Sequence, residues 1–130
     1  MQNCFKISLA ALIFVSFNAV AQKSQILIAR NSVGKLQASI ANKEDEKKQL
    51  SIITEGLKSI ESAEKDTKTK NWTETWSIKS YLTSFASLID TDPNNANKFY
   101  DSAVEAVAKA KSLDRYNDNG GLLRRLTTTS

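Results

Sequence analysis

Residues 92–113 read DPNNANKFYDSAVEAVAKAKSL, and this stretch decides the fold. Phe99, Ala103, Val107, Ala110 and Leu113 recur at steps of four, four, three and three, which lines them along one side of a helix. Tyr100, Val104 and Ala106 flank that line. Asp92 is a good N-cap, and Pro93 suits the first helical position, where a missing N–H removes no hydrogen bond. Alanines set among larger side chains let a second helix approach closely. The polar, turn-rich DRYNDNGG of residues 114–121 ends the helix near Leu113.

Working back from Asp92, a third helix starts near Thr73. Trp72 and Trp76 are one turn apart, and Ile78, Leu82, Phe85 and Ile89 follow at helical steps. Tyr81 and Leu88 widen the stripe, so this helix is expected to bury a broad face, with Trp76 in the core. Before it, residues 65–71, KDTKTKN, have no apolar side chain and read as a solvated turn. A second helix covers about 44–64 on the line Leu50, Ile53, Leu57, Ile60 and Ala63, with Glu44, Asp45 and Glu46 in its first turn at the positive end of the dipole. A first helix covers about 24–41 through Ile26, Ala29, Val33, Leu36 and Ile40. Gly34 inside it costs about 1 kcal/mol relative to alanine, which makes it a weak point. Asn42-Lys43 is a short connection. Leu122, Leu123 and Leu126 begin another helical pattern that Thr127-Thr128-Thr129-Ser130 cuts short. No segment alternates with a period of two, so the fold class is all-α, with four to five helices in antiparallel hairpins.

The N-terminus has the order of a secretory signal peptide: Lys6, an uncharged apolar run from Ile7 to Val20, then Ala19 and Ala21 at the −3 and −1 positions of a cut before Gln22. The run is short for a span of ~20 residues, so no membrane span is expected after cleavage. The reading divides the chain into a signal peptide at 1–21, an N-terminal helix at 22–43, helical hairpins at 44–115, and a loop with an incomplete helix at 116–130. It places the protein in the periplasm or outside the cell. Cys4 is the only cysteine and leaves with the signal, so neither disulfide nor thiolate metal site is expected. The net charge of +4 is spread in alternating signs, as in Lys43-Glu44-Asp45-Glu46-Lys47-Lys48, and forms no basic stripe for nucleic acid.

The last two helices bring in a family. Trp76-Ser77-Ile78-Lys79-Ser80-Tyr81-Leu82-Thr83 resembles the first helix of a tetratricopeptide repeat, W-x2-L-G-x2-Y, with Lys79, Ser80 and Thr83 in the leucine, glycine and tyrosine places. Ala103, Val107 and Ala110 resemble the A-x3-F-x2-A of the second helix. Leu113-Asp114 resembles its closing L-D, with Arg115 where proline is usual. Gly56, Ile60 and Ala63 echo the same pattern. A second register sets Leu88 to Ala96 as a repeat boundary with Phe99 in the tryptophan place. The Trp76 register explains two helices and the echo. The hairpin is longer than the usual period of ~34 residues. With its signal peptide ending in A-Q and the Thr75-Trp76 pair after a lysine-rich loop, the chain resembles exported tetratricopeptide-like proteins of Bacteroidetes-type bacteria. That resemblance implies close crossing at Ser80 and Ala103, with Trp76, Val107 and Phe85 filling around it. It also implies a scaffold that binds a protein or peptide. One and a half to two hairpins fall short of the three or so repeats that a stable array needs. The chain is therefore a degenerate single unit, a homo-oligomer, or a structural or capping part of a longer array without a ligand of its own.

The residues offer little chemistry. The chain has no histidine, which removes the commonest general base and histidine metal ligands. Four glycines cannot form the phosphate-binding loops. Glu61 and Glu64 could act as a carboxylate pair, with Glu44 and Asp45 upstream, but acid–base hydrolysis needs two carboxyls across a cleft. Asn117-Asp118-Asn119-Gly120 looks like a calcium loop, yet Arg115 and Leu126 fall where acidic ligands belong. Asn71-Trp72-Thr73 and Asp101-Ser102-Ala103 match short glycosylation patterns that recur by chance. No enzyme activity, cofactor or metal is therefore expected. Trp72, Lys79, Thr83 and Tyr100 are the expected partner contacts, because each faces away from the main apolar lines or borders a loop.

Overall fold

The computed structural model describes residues 24–117, with side chains to 114. The expected signal segment with Ala19, Ala21 and Gln22, and the pattern of Leu122, Leu123 and Leu126, lie outside the described residues. Among those residues there are four helices and no strand: α1 at 24–41, α2 at Glu46–Lys65, α3 at Thr73–Ile89 and α4 at Pro93–Asn117. The all-helical reading holds.

The ends of the helices follow local chemistry. Lys43 closes α1 in the left-handed region, at φ 55°. The Glu44 N–H then donates to the Ser39 carbonyl and the Lys43 N–H to the Ile40 carbonyl, which is the Schellman pattern. Asp45 lies outside α2 and caps it: its carboxylate accepts the Lys48 N–H at 2.8 Å. This corrects the expected start at Glu44, because the side-chain cap needs an extended residue before the first turn. Asp92 does the same for α4, accepting the Asn94 N–H at 3.0 Å. α4 runs on through DRYN to Asn117 instead of stopping near Leu113. None of those four residues is glycine or proline, so nothing there breaks the helix. α1 passes unbroken through Gly34.

The turn between α2 and α3 is more than solvated chain. Thr69 is 1% exposed; its hydroxyl donates to the Ala63 carbonyl at 2.7 Å, and the Thr75 hydroxyl donates to the Thr69 carbonyl at 2.9 Å. Asp66 accepts the Lys68 N–H at 2.8 Å. Three side chains thus satisfy backbone groups that a free turn would leave to water.

Consecutive helices are in contact. Ser32 of α1 lies against Gly56 of α2, Glu64 near the end of α2 pairs with Lys79 near the start of α3, and α3 packs extensively on α4. The core joins Ala29 and Leu36 of α1, Ile53 and Ile60 of α2, and Ile78, Leu82 and Ala86 of α3. Arg30 of α1 also pairs with Glu74 of α3 at 2.6 Å. Gly56 is the tightest point: an added Cβ would stand 2.8 Å from Ser32 Cβ and 2.9 Å from Leu82 Cδ1. Only a residue without a side chain lets α1 and α3 both reach α2 there.

The two halves share one register. Adding 48 carries α1 onto 72–89, which is α3 with its N-cap Trp72. Adding 47 carries Asp45 to Asp92, Gly56 to Ala103, Ser59 to Ala106 and Ala63 to Ala110. Both caps and all six of those helix residues keep their roles: the first pair caps, and the others are buried.

Candidate functional site

α4 buries a narrower face than its apolar line suggests. Ala103, Ala106 and Ala110 are its buried apolar residues, while Val107, expected to fill the core, is 37% exposed. The three alanines share one side of the helix, and their small size draws α3 onto that side. Tyr100, Val104 and Val107 lie roughly a quarter-turn round from it at 3.6 residues per turn. α3 likewise leaves Leu88 and Tyr81 outside, although a broad buried face was expected of it. Between the two helices runs a groove of about 390 Å³ lined by Ser84, Ser87, Leu88, Tyr100, Ala103, Val104 and Val107. Leu88 is 81% exposed, Tyr100 61% and Val104 53%. Asp101 and Glu105 stand exposed on the flank of α4 and make no ion pair among the described residues.

A second hollow of about 330 Å³ lies where α2, α3 and α4 meet, with Leu57, Ile60 and Phe99 on its walls and Lys79, Thr83 and Ser102 among its polar groups. The Lys79 ammonium sits 2.5 Å from Glu64 Oε1, out of line for a hydrogen bond, so the contact is ionic. The same ammonium lies 5.2 Å from the centre of the Trp76 ring, and Lys109 lies 6.0 Å from it. The indole N–H of Trp76 donates to the Lys70 carbonyl at 2.7 Å. Trp76 is therefore half-buried at the rim, not central to the core, because its N–H needs a partner and finds one in the turn. Glu61 pairs with Lys65 at 3.0 Å, so each carboxylate of the candidate pair has its own lysine.

The four expected contact residues do not converge. Tyr100 lines the α3–α4 groove. Lys79 and Thr83 belong to the other hollow, and Trp72, 38% exposed at the start of α3, lines neither. Thr83 does not face away from the apolar lines: it is 2% exposed, its hydroxyl donating to the Lys79 carbonyl at 2.6 Å. Its neighbour Leu82 reaches Gly56 of α2, and Thr83 itself lines the hollow among α2, α3 and α4. Of the short glycosylation patterns, Asn71 is exposed in the turn and Ser102 is half-buried on α4.

Sequence reasoning missed Leu88, Val104 and Val107 as surface residues. The signal was present: the apolar stripes of the third and fourth helices are too wide for two helices to bury in each other. Among the described residues no helix is long and apolar enough to cross a membrane. No family model, curated protein or solved structure matches this chain.

Proposed function

We propose that this protein is an exported, tetratricopeptide-like scaffold that holds a protein or peptide partner in the groove between α3 and α4. The observation that supports this reading is the groove itself. Three large apolar side chains, Leu88, Tyr100 and Val104, stand more than half exposed beside one another on two packed helices. Contiguous apolar surface of that kind is a mark of an interaction site. A helix laid into the groove meets apolar walls along its length, with Tyr100 able to hydrogen-bond at the edge and Asp101 and Glu105 able to take cations on the partner.

The test is capture from the native envelope fraction by the purified chain, followed by Val104→Asp and Leu88→Ser. Both positions are exposed, so both variants fold. A partner retained by the wild type and lost with both supports the reading. A partner retained equally by both variants refutes this groove as the site. The exported location is tested by sequencing the N-terminus of the protein isolated from its own cells, where a start at Gln22 is expected.

A further inference from the structure

The groove has an internal precedent. By the offset of 47 or 48, its Ser84, Tyr100, Ala103, Val104 and Val107 correspond to Leu36, Ile53, Gly56, Leu57 and Ile60. On that first hairpin the same positions receive α3. Leu36, Ile53 and Ile60 are buried with Ile78, Leu82 and Ala86, and Leu82 Cδ1 reaches to 2.9 Å from where a Gly56 Cβ would stand. On the second hairpin no described helix fills the corresponding place.

The helix that corresponds to α3 is α1, and its register identifies the face that would dock. Ile78, Leu82 and Ala86 map onto Arg30, Gly34 and Ala38, with Leu27 two turns before Gly34 on the same side. Gly34 and Ala38 are exposed, and Leu27 is 51% exposed. Gly34 is otherwise unexplained. A mid-helix glycine costs about 1 kcal/mol against alanine, yet a Cβ there would meet nothing within 4 Å. Nothing among the described residues requires that notch. α1 also carries Lys35 and no acidic residue, its Arg30 being paired with Glu74, while Asp101 and Glu105, next in sequence to Tyr100 and Val104, stand exposed on α4. Lys35 is exposed and makes no ion pair among the described residues.

The geometry points to a second copy of this chain as the occupant, its α1 docked on the α3–α4 groove of the first as α3 docks on the first hairpin. The Gly34–Ala38 face meets Tyr100 and Val104, the small side chains accepting the large ones, and Lys35 faces Asp101 and Glu105. This inference rests on the groove being a docking surface, as read above, and names its partner. The contact joins two different patches head to tail, so each copy keeps one free groove and one free α1, and assembly continues beyond a dimer.

The test uses sedimentation equilibrium of the purified chain, its N-terminus defined by mass spectrometry, over a wide concentration range. Gly34→Leu fills the notch in open space, and Val104→Asp charges the groove at an exposed position; circular dichroism checks that both fold. The wild type is expected to grow past the dimer with concentration. Each variant alone weakens association by about tenfold or more, as loss of a central packed contact does. An equal mixture of the two, one with an intact groove and one with an intact α1, is expected to form a one-to-one pair and nothing larger. A wild type that stays monomeric overturns the inference, and so does Gly34→Leu associating as the wild type does. A monomer whose melting temperature falls with Val104→Asp assigns the groove to another segment of the same chain, which also overturns it. A monomeric wild type leaves the groove as a partner site standing if Val104→Asp still abolishes capture from the envelope fraction.

Discussion

Replacing Gly56 by alanine and Gly34 by alanine makes the same chemical change in two helix interiors, with opposite expected results. At Gly34 the new methyl enters open space. The only effect is the gain in helix propensity and the loss of freedom in the unfolded chain, about 0.5–1 kcal/mol of added stability. At Gly56 the methyl would stand 2.8 Å from Ser32 Cβ, an atom fixed to the α1 backbone, and 2.9 Å from Leu82 Cδ1, whose side chain is fully buried. Neither can turn aside without moving a helix or a packed neighbour. Overpacking of this kind costs about 1–3 kcal/mol, and the propensity gain of about 1 kcal/mol offsets part of it. The net loss is about 0–2 kcal/mol, and two contacts under 3.0 Å put it at the upper end. At about 4–8 °C per kcal/mol for a domain of this size, the melting temperature falls by roughly ten degrees for Gly56→Ala and rises by a few for Gly34→Ala. Far-ultraviolet circular dichroism melts at dilute concentration, where copies do not associate, measure both. If Gly56→Ala melts as high as Gly34→Ala, α1 and α3 do not meet on α2 at that point, and the packing described here is wrong.

Lys43→Gly relieves a left-handed residue at the end of α1 and is expected to add about 1 kcal/mol in urea unfolding, within the usual cost of that conformation for a side chain; an unchanged midpoint would count against the Schellman turn. Thr69→Val removes the buried hydroxyl that donates to the Ala63 carbonyl and is expected to lose about 1–2 kcal/mol, with faster hydrogen exchange at the Lys68 and Thr69 amides. Unaltered exchange there would show that the turn does not depend on Thr69. The Lys48 side chain hydrogen-bonded to Glu44 holds that carboxyl below its ordinary 4.5. A depressed value in the folded state stabilises above the unfolded value and is lost as pH falls through the folded one. Glu44→Gln is therefore expected to reduce stability above about pH 4.5 and to match the wild type in stronger acid, a difference that pH-dependent urea midpoints resolve and that a parallel offset at every pH would contradict.

The helices were legible in the sequence because each is encoded locally. Apolar spacing of three and four, Asp45 or Asp92 before the first turn, and the absence of glycine or proline inside α3 and α4 act within a few residues of each other. Boundaries were less legible. The difference between Asp45 inside the helix and Asp45 capping it is one hydrogen bond, and the extension of α4 to Asn117 rests on residues that neither favour nor forbid a turn. Burial was the least legible property. Val107 belongs to an apolar line as regular as that of Ile60, yet Ile60 is 1% exposed and Val107 37%. Both positions face the site where a following helix packs, and among the described residues such a helix, α3, stands only beside the first. Periodicity names the residues that one helix offers to a neighbour; whether a neighbour arrives depends on where distant helices lie, which no local run of residues encodes.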